Sequence, residues 1–199
     1  MNKSIKTVSL AFVLAIVSCF AHGAYAQSTS SVVMAKWGDV IRKSLPTATN
    51  YFVKEVALGQ DEVAKIKLQG SFSPQVSRMK FFYGKDSLGG FVGTVLFDEV
   101  KTIHGPVEVG IAFTPGGTVS NVVVTKATAE TEPWVKAALS SGLVKNYIGM
   151  SAKSMTNPLQ NVSPASIGEK PYLMAQAITS AVTQGVVYYN VLFQPRLPQ

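Results

Sequence analysis

Two stretches decide the fold: Phe91-Val-Gly-Thr-Val-Leu-Phe-Asp98 and, a few residues on, Pro106-Val-Glu-Val-Gly-Ile-Ala-Phe113. In both, apolar side chains return at every second residue, the period of a strand with one face buried. Met79 to Tyr83 precedes the first across a turn at Lys85 to Gly90. Thr118 to Thr125 follows the second across Thr114-Pro-Gly-Gly117. Each arrangement reads as a β-hairpin, with Val107, Val109, Ile111 and Phe113 on one face. Four strands adjacent in sequence are satisfied most simply by an antiparallel sheet with helices packed on one side.

Outward from the sheet the period changes. Val33, Trp37, Val40, Ile41 and Leu45 recur at three- and four-residue steps and predict an amphipathic helix that Pro46 ends. A second short helix is expected over Asp61 to Leu68, with two carboxylates at its positive end. Glu130-Thr-Glu-Pro-Trp134 opens a third, running to about Ser141, with Pro133 in the first turn. Glu130 and Glu132 then read as dipole-favourable first-turn residues. Ser151 to Pro171 is rich in Ser, Asn, Pro and Gly and reads as a long surface loop. The last helix, from about Tyr172, is apolar nearly all round until Gln194-Pro195 stops it, so it should be buried. The expected fold class is therefore α+β: an antiparallel sheet of about four or more strands built from hairpins, packed by N-terminal and C-terminal helices.

The N-terminus predicts export. Lys3 and Lys6 precede an apolar run, Val8 to Val17, that leads to Ala24-Tyr25-Ala26, a small-x-small cleavage site. The domain expectation is a signal peptide over 1–26, a short tether over 27–31 and a single domain over 32–199. The apolar run is too short to span a bilayer, so no transmembrane segment is expected after cleavage, and a periplasmic location follows. Ile16-Val17-Ser18-Cys19 also fits a lipoprotein box, which makes a lipid anchor at Cys19 the second reading. Cys19 is the single cysteine of the chain, so cleavage after Ala26 would leave no disulfide, thiolate metal site or cysteine nucleophile.

With 18 Lys+Arg against 11 Asp+Glu the chain is basic, formally +7. No basic run is interleaved with aromatics, so nucleic acid is not an expected partner, and a solubilising surface charge suffices as explanation. The inventory is poor for hydrolysis. His104 lies in the turn Lys-Thr-Ile-His-Gly-Pro, where a solvated imidazole is the simplest reading. No Ser sits in a nucleophile elbow and no His/Asp/Glu cluster has metal-ligand spacing. Gly89-Gly90 and Gly116-Gly117 are turn glycines; neither leads into a helix as a phosphate loop would.

The order of the segments carries a resemblance. Ile41-Arg-Lys-Ser-Leu-Pro-Thr-Ala-Thr-Asn-Tyr-Phe-Val-Lys-Glu-Val56 comes first, then Phe91 to Val100, then His104-Gly-Pro-Val-Glu-Val-Gly-Ile-Ala-Phe-Thr-Pro-Gly-Gly-Thr-Val119. Glu130-Thr131 and Tyr147-Ile-Gly-Met150 follow. This plan, over about Ile41 to Val191, resembles the exported FMN-binding domain family, related to the periplasmic flavin subunits of Rnf-type and sodium-pumping quinone-reductase complexes. In flavinylated members an Asp-x-x-Ser-Gly-Ala-Thr stretch presents the threonine that is joined to FMN.

Here the corresponding stretch is Met174-Ala-Gln-Ala-Ile-Thr-Ser-Ala-Val-Thr-Gln-Gly-Val186. Depending on register, Gln176, Ala177 or Val182 takes the threonine's place, and none has a hydroxyl. The resemblance thus implies non-covalent FMN, argues against covalent FMN, and implies electron transfer with an envelope redox partner rather than an enzyme with its own turnover. The site it implies is Glu130, Thr131, Ala177, Ile178, Thr179 and Ser180, with Thr179, Ser180 and Thr183 able to meet a phosphate from a helix start. The alternative is a flavin-free accessory or ligand-binding module that keeps the fold.

Overall fold

A computed structural model describes residues 30–197. The expected signal peptide, its cleavage site and Cys19 lie outside the described residues. The architecture is α+β: one six-stranded antiparallel sheet and five α-helices among the described residues. The strands are β1 (Ser31–Val33), β2 (Asn50–Ala57), β3 (Arg78–Lys85), β4 (Phe91–Thr102), β5 (Gly105–Phe113) and β6 (Val119–Thr128). Their order in the sheet is β1-β6-β5-β4-β3-β2, so every pair but β1–β6 joins sequence neighbours. The helices are α1 (Trp37–Ser44), α2 (Gln60–Gly70), α3 (Glu132–Ser140), α4 (Pro164–Ile167) and α5 (Glu169–Tyr188). None is long and apolar enough to cross a membrane.

Both expected hairpins are present, and β4 and β5 pair as well, from Thr94↔Phe113 to Thr102↔Gly105. Several boundaries differ from expectation. Ser31, expected at the end of a tether, belongs to β1, which pairs with β6, and Val33 lies in that strand rather than on α1. Asn50–Ala57 is an edge strand that periodicity misses, because nearly all its side chains are exposed and alternation has nothing to mark. The expected loop after Ser151 contains α4. Helix α5 begins at Glu169, with Pro171 in its first turn, where an N–H has no intrahelical partner.

The sheet is covered on both faces, not one. On the larger side Phe81, Leu96, Val107, Val109, Ile111 and Phe113 meet Met174, Ile178, Val182 and Val186 of α5, with α2 and α3 packed beside it. On the other side α1 lays Val40 and the following Leu45 over Val95 and Ala112. Burial of an amphipathic helix on each face removes both sheet surfaces from water, the main driving term for such a layered fold.

One irregularity shapes the molecule. Strand β3 pairs with β2 along its whole length, Ala57↔Arg78 to Asn50↔Lys85. It pairs with β4 only from Phe81↔Leu96 to Lys85↔Phe91. Residues 78–80 therefore diverge from residues 97–102, and the sheet is split at that end.

At the paired end Gly93 holds β3, β4 and β5 together. Its φ is +146°, and a Cβ there would lie 2.6 Å from the Phe113 carbonyl oxygen. Backbone cannot give way as a flexible side chain can. Gly93→Ala should destabilise the domain by about 2 kcal/mol or more, read as a lowered urea midpoint at unchanged slope.

Candidate functional site

The six residues implied by the resemblance fall in two groups, Glu130 and Thr131 at the start of α3 and Ala177, Ile178, Thr179 and Ser180 within α5. Thr131 caps α3 and is fully buried. Its Oγ1 accepts from the Thr128 N–H at 3.1 Å and meets Thr128 Oγ1 at 2.9 Å, so the hydroxyl is satisfied within its own turn. Glu130 faces outward. It lies before the helix rather than in its first turn, and its Oε1 is 3.1 Å from His104 Nδ1. The expected solvated turn histidine is thus a partner of Glu130, with its ring edge-on to Trp134 at 4.9 Å and Lys170 over that indole at 4.6 Å. Glu132, which does open the helix, pairs with Lys136 one turn on.

On α5, Ala177 and Ile178 are buried in the core. Thr179 Oγ1 donates to the Ala175 carbonyl at 2.8 Å and meets Tyr147 Oη at 2.8 Å; Ser180 Oγ accepts from Gln184 at 3.1 Å. Burial raises the Tyr147 phenol well above its ordinary pKa, with the Thr179 bond opposing. Thr179, Ser180 and Thr183 do not stand at a helix start. Because α5 begins at Glu169, they lie mid-helix, where the amides belong to the helix's own ladder. Helix α3 packs against α5, so the two groups of residues share one side of the sheet.

A cleft of about 410 Å³ opens instead where β3 and β4 part. That volume lies in the range of small-molecule sites. Strand parity assigns its walls. Even-numbered Leu96 and Asp98 of β4 face α5; odd-numbered Val95 and Phe97 face α1, and Glu99 and Lys101 continue that side. On β3 the parity is the reverse, with Met79 and Phe81 toward α5 and Arg78, Lys80 and Phe82 on the α1 side.

The α1 side is an aromatic wall. Trp37 stacks on Phe97 with centroids 4.4 Å apart and planes 7° apart, and Phe82 meets both edge-on at 5.8 and 5.6 Å. Trp37 Nε1–H donates to Glu108 Oε1 at 2.7 Å. Glu108 in turn accepts from Thr125 Oγ1 at 2.7 Å and Lys126 Nζ at 3.1 Å. These charge-assisted bonds fix the indole, and with it the wall.

Asp98 lies on the opposite side of the split with Gln184 and Tyr188 of α5. It is 7 % exposed, and its Oδ2 is buried with no hydrogen-bond partner. Burial lifts its carboxyl to about 7; the Glu99 charge adds to this and the Glu99 backbone N–H opposes it. Tyr188 is pushed up by burial and further by the Asp98 charge. Arg78 and Lys80 line the same cleft but are held by Glu55, at 3.1 and 3.9 Å. Their parity sends them to the α1 side, which is why they leave Asp98 unpaired.

Asp98 was within reach of the sequence. It occupies an inward position of β4 between Leu96 and Val100, where an apolar residue is the rule. No family model matches the chain, and no curated protein matches it.

A carboxyl with a folded value of about 7 against an ordinary 3.8 keeps its proton in the folded chain after the unfolded chain has lost it. Its contribution to stability is full below about 3.8, falls as the pH rises to about 7, and is level above. The slope within that window is roughly 1.4 kcal/mol per pH unit. Asp98→Asn should therefore exceed the wild type in urea stability by a few kcal/mol at about pH 8, and by much less at about pH 5. A difference that stays constant with pH would show that the carboxyl is not desolvated.

Proposed function

We propose that this chain is a flavin-free binding domain of the cell envelope, non-enzymatic, that takes a small ligand in the cleft of the split sheet. The observation that carries this reading is the contrast between two places. At the positions a flavin would use, Ala177 and Ile178 are packed into the core and the hydroxyls of Thr131 and Thr179 are already bonded. In the cleft, a fixed aromatic wall faces a buried carboxylate oxygen without a partner. A binding site needs a mostly apolar concavity and a few unsatisfied polar groups, and the second place has both. The export expectation from Lys3, Lys6 and Ala24-Tyr25-Ala26 supplies the envelope location.

A second reading is favoured by the cluster at Glu130. His104, Glu130, Trp134 and Lys170 form a half-exposed patch with an imidazole edge, an indole face and a cation. An isoalloxazine ring laid there with its phosphate toward Lys170 would give non-covalent FMN and electron transfer to an envelope redox partner. The protein would then supply orientation, and the flavin the redox chemistry.

Protein purified from its own periplasm separates the two. The binding-domain reading predicts a colourless protein and no quenching of added FMN fluorescence below about 1 mM. Yellow protein whose flavin stays in solution after acid precipitation supports the second reading. Colour retained in the precipitated protein would instead mean a covalent bond, against the absence of a hydroxyl at Gln176, Ala177 and Val182.

A further inference from the structure

We propose that the split-sheet cleft binds a small amphipathic zwitterion, with its ammonium on Asp98, its apolar body against the Trp37–Phe82–Phe97 wall and its anionic end at Lys101. This rests on the reading of the chain as a binding domain and gives that domain its ligand class. Three features of the cleft each select one part of the ligand.

The first is the orphaned oxygen. A buried acceptor left without a donor costs free energy, and folded proteins rarely keep one without a reason. Asp98 Oδ2 is such an acceptor, on a side chain more than nine-tenths buried in the wall of an open cleft. An ammonium brings both a donor and the compensating charge. An anion would be repelled. A metal ion would find no cluster of three or more His, Cys, Asp or Glu among the described residues.

The second feature is the wall. Trp37, stacked on Phe97 and tied to Glu108, cannot fold into the cleft, so the apolar surface is preformed. A rigid apolar wall binds an apolar body with little ordering cost. The third is the charge at the rim. Arg78 and Lys80 are engaged by Glu55, whereas Lys101 makes no ion pair among the described residues. Lys101 stands on the α1 side of the split together with Glu99, and Asp98 on the α5 side, so the Lys101 ammonium and the Asp98 carboxylate lie on opposite sides of the opening. A ligand with charges at its two ends matches that separation.

The probes are 4-(aminomethyl)benzoate, 4-methylbenzoate, which lacks the ammonium, and benzylammonium, which lacks the carboxylate. Binding is followed at about pH 8 through the Trp37 indole N–H resonance of the full protein, assigned with Trp134→Phe. We expect saturable binding of 4-(aminomethyl)benzoate and about tenfold or more weaker binding of 4-methylbenzoate. Asp98→Asn should erase that difference while leaving 4-methylbenzoate's own affinity within a few-fold. Lys101→Ala should weaken the two carboxylates and leave benzylammonium unchanged. Equal binding of all three probes, or discrimination that survives Asp98→Asn, overturns the ligand class and leaves the binding reading standing. If none of the probes moves the Trp37 resonance, while the wild type stays folded, both fall.

Discussion

Helix α5 reaches the sheet at Gly185, and the arrangement of its whole face depends on how closely it lies there. A Cβ at that position would be 2.6 Å from Ile111 Cδ1 and 3.4 Å from Leu96 Cδ1, so the missing side chain sets the distance between helix and sheet. Close approach buries the flanking residues with it. One turn on, Tyr188 lines the cleft beside Asp98, which is left 7 % exposed. Earlier in the helix Ala177 and Ile178 are buried and Thr179 meets Tyr147. One helix therefore carries both the buried Ala177 and Ile178 and the Tyr188 that borders the desolvated carboxyl.

The split between β3 and β4 gives that carboxyl an outlet. Had β3 continued to pair with β4 beyond Phe81↔Leu96, Arg78 and Lys80 would lie across from Glu99 and Phe97, and the aromatic wall would be sealed. Instead β3 stays with β2, where Arg78 and Lys80 find Glu55. The sheet gives up a few ladder bonds at one end and gains a concavity between two different faces. Aromatic rings, cations and the Glu99 carboxylate stand on the α1 side. A carboxylate, an amide and a phenol stand on the α5 side.

Much of this was legible in the chain. The hairpins and the face carrying Val107 to Phe113 follow from period-two alternation bounded by glycine turns, because one face of each strand is buried and the other is not. Burial of the last helix follows from its all-round apolar surface. Strand β2 was not legible, since its exposed residues carry no alternation, and neither was the placement of α1 on the opposite face, which needs the three-dimensional order of the strands. The Glu130–Thr131 pair was found, but its division into an outward Glu130 on His104 and an inward Thr131 on Thr128 depends on where α3 begins. Asp98 sat in plain view as a charged residue at an inward position. The absence of a partner for it was hidden, because it comes from the divergence of two strands rather than from any local motif. Fold and site are thus separate questions here: periodicity and turns fix where elements lie, and the particular side chains decide what can bind.

Asp98 is a desolvated carboxyl whose Oδ2 has no partner, in the wall of an open cleft, and its own titration tests this most directly. With the Asp98 carboxyl carbon followed by 13C NMR in the ligand-free protein, the structure predicts a midpoint near 7. A midpoint at the ordinary 3.8 would mean that Asp98 is solvated or paired, and would contradict the site as described.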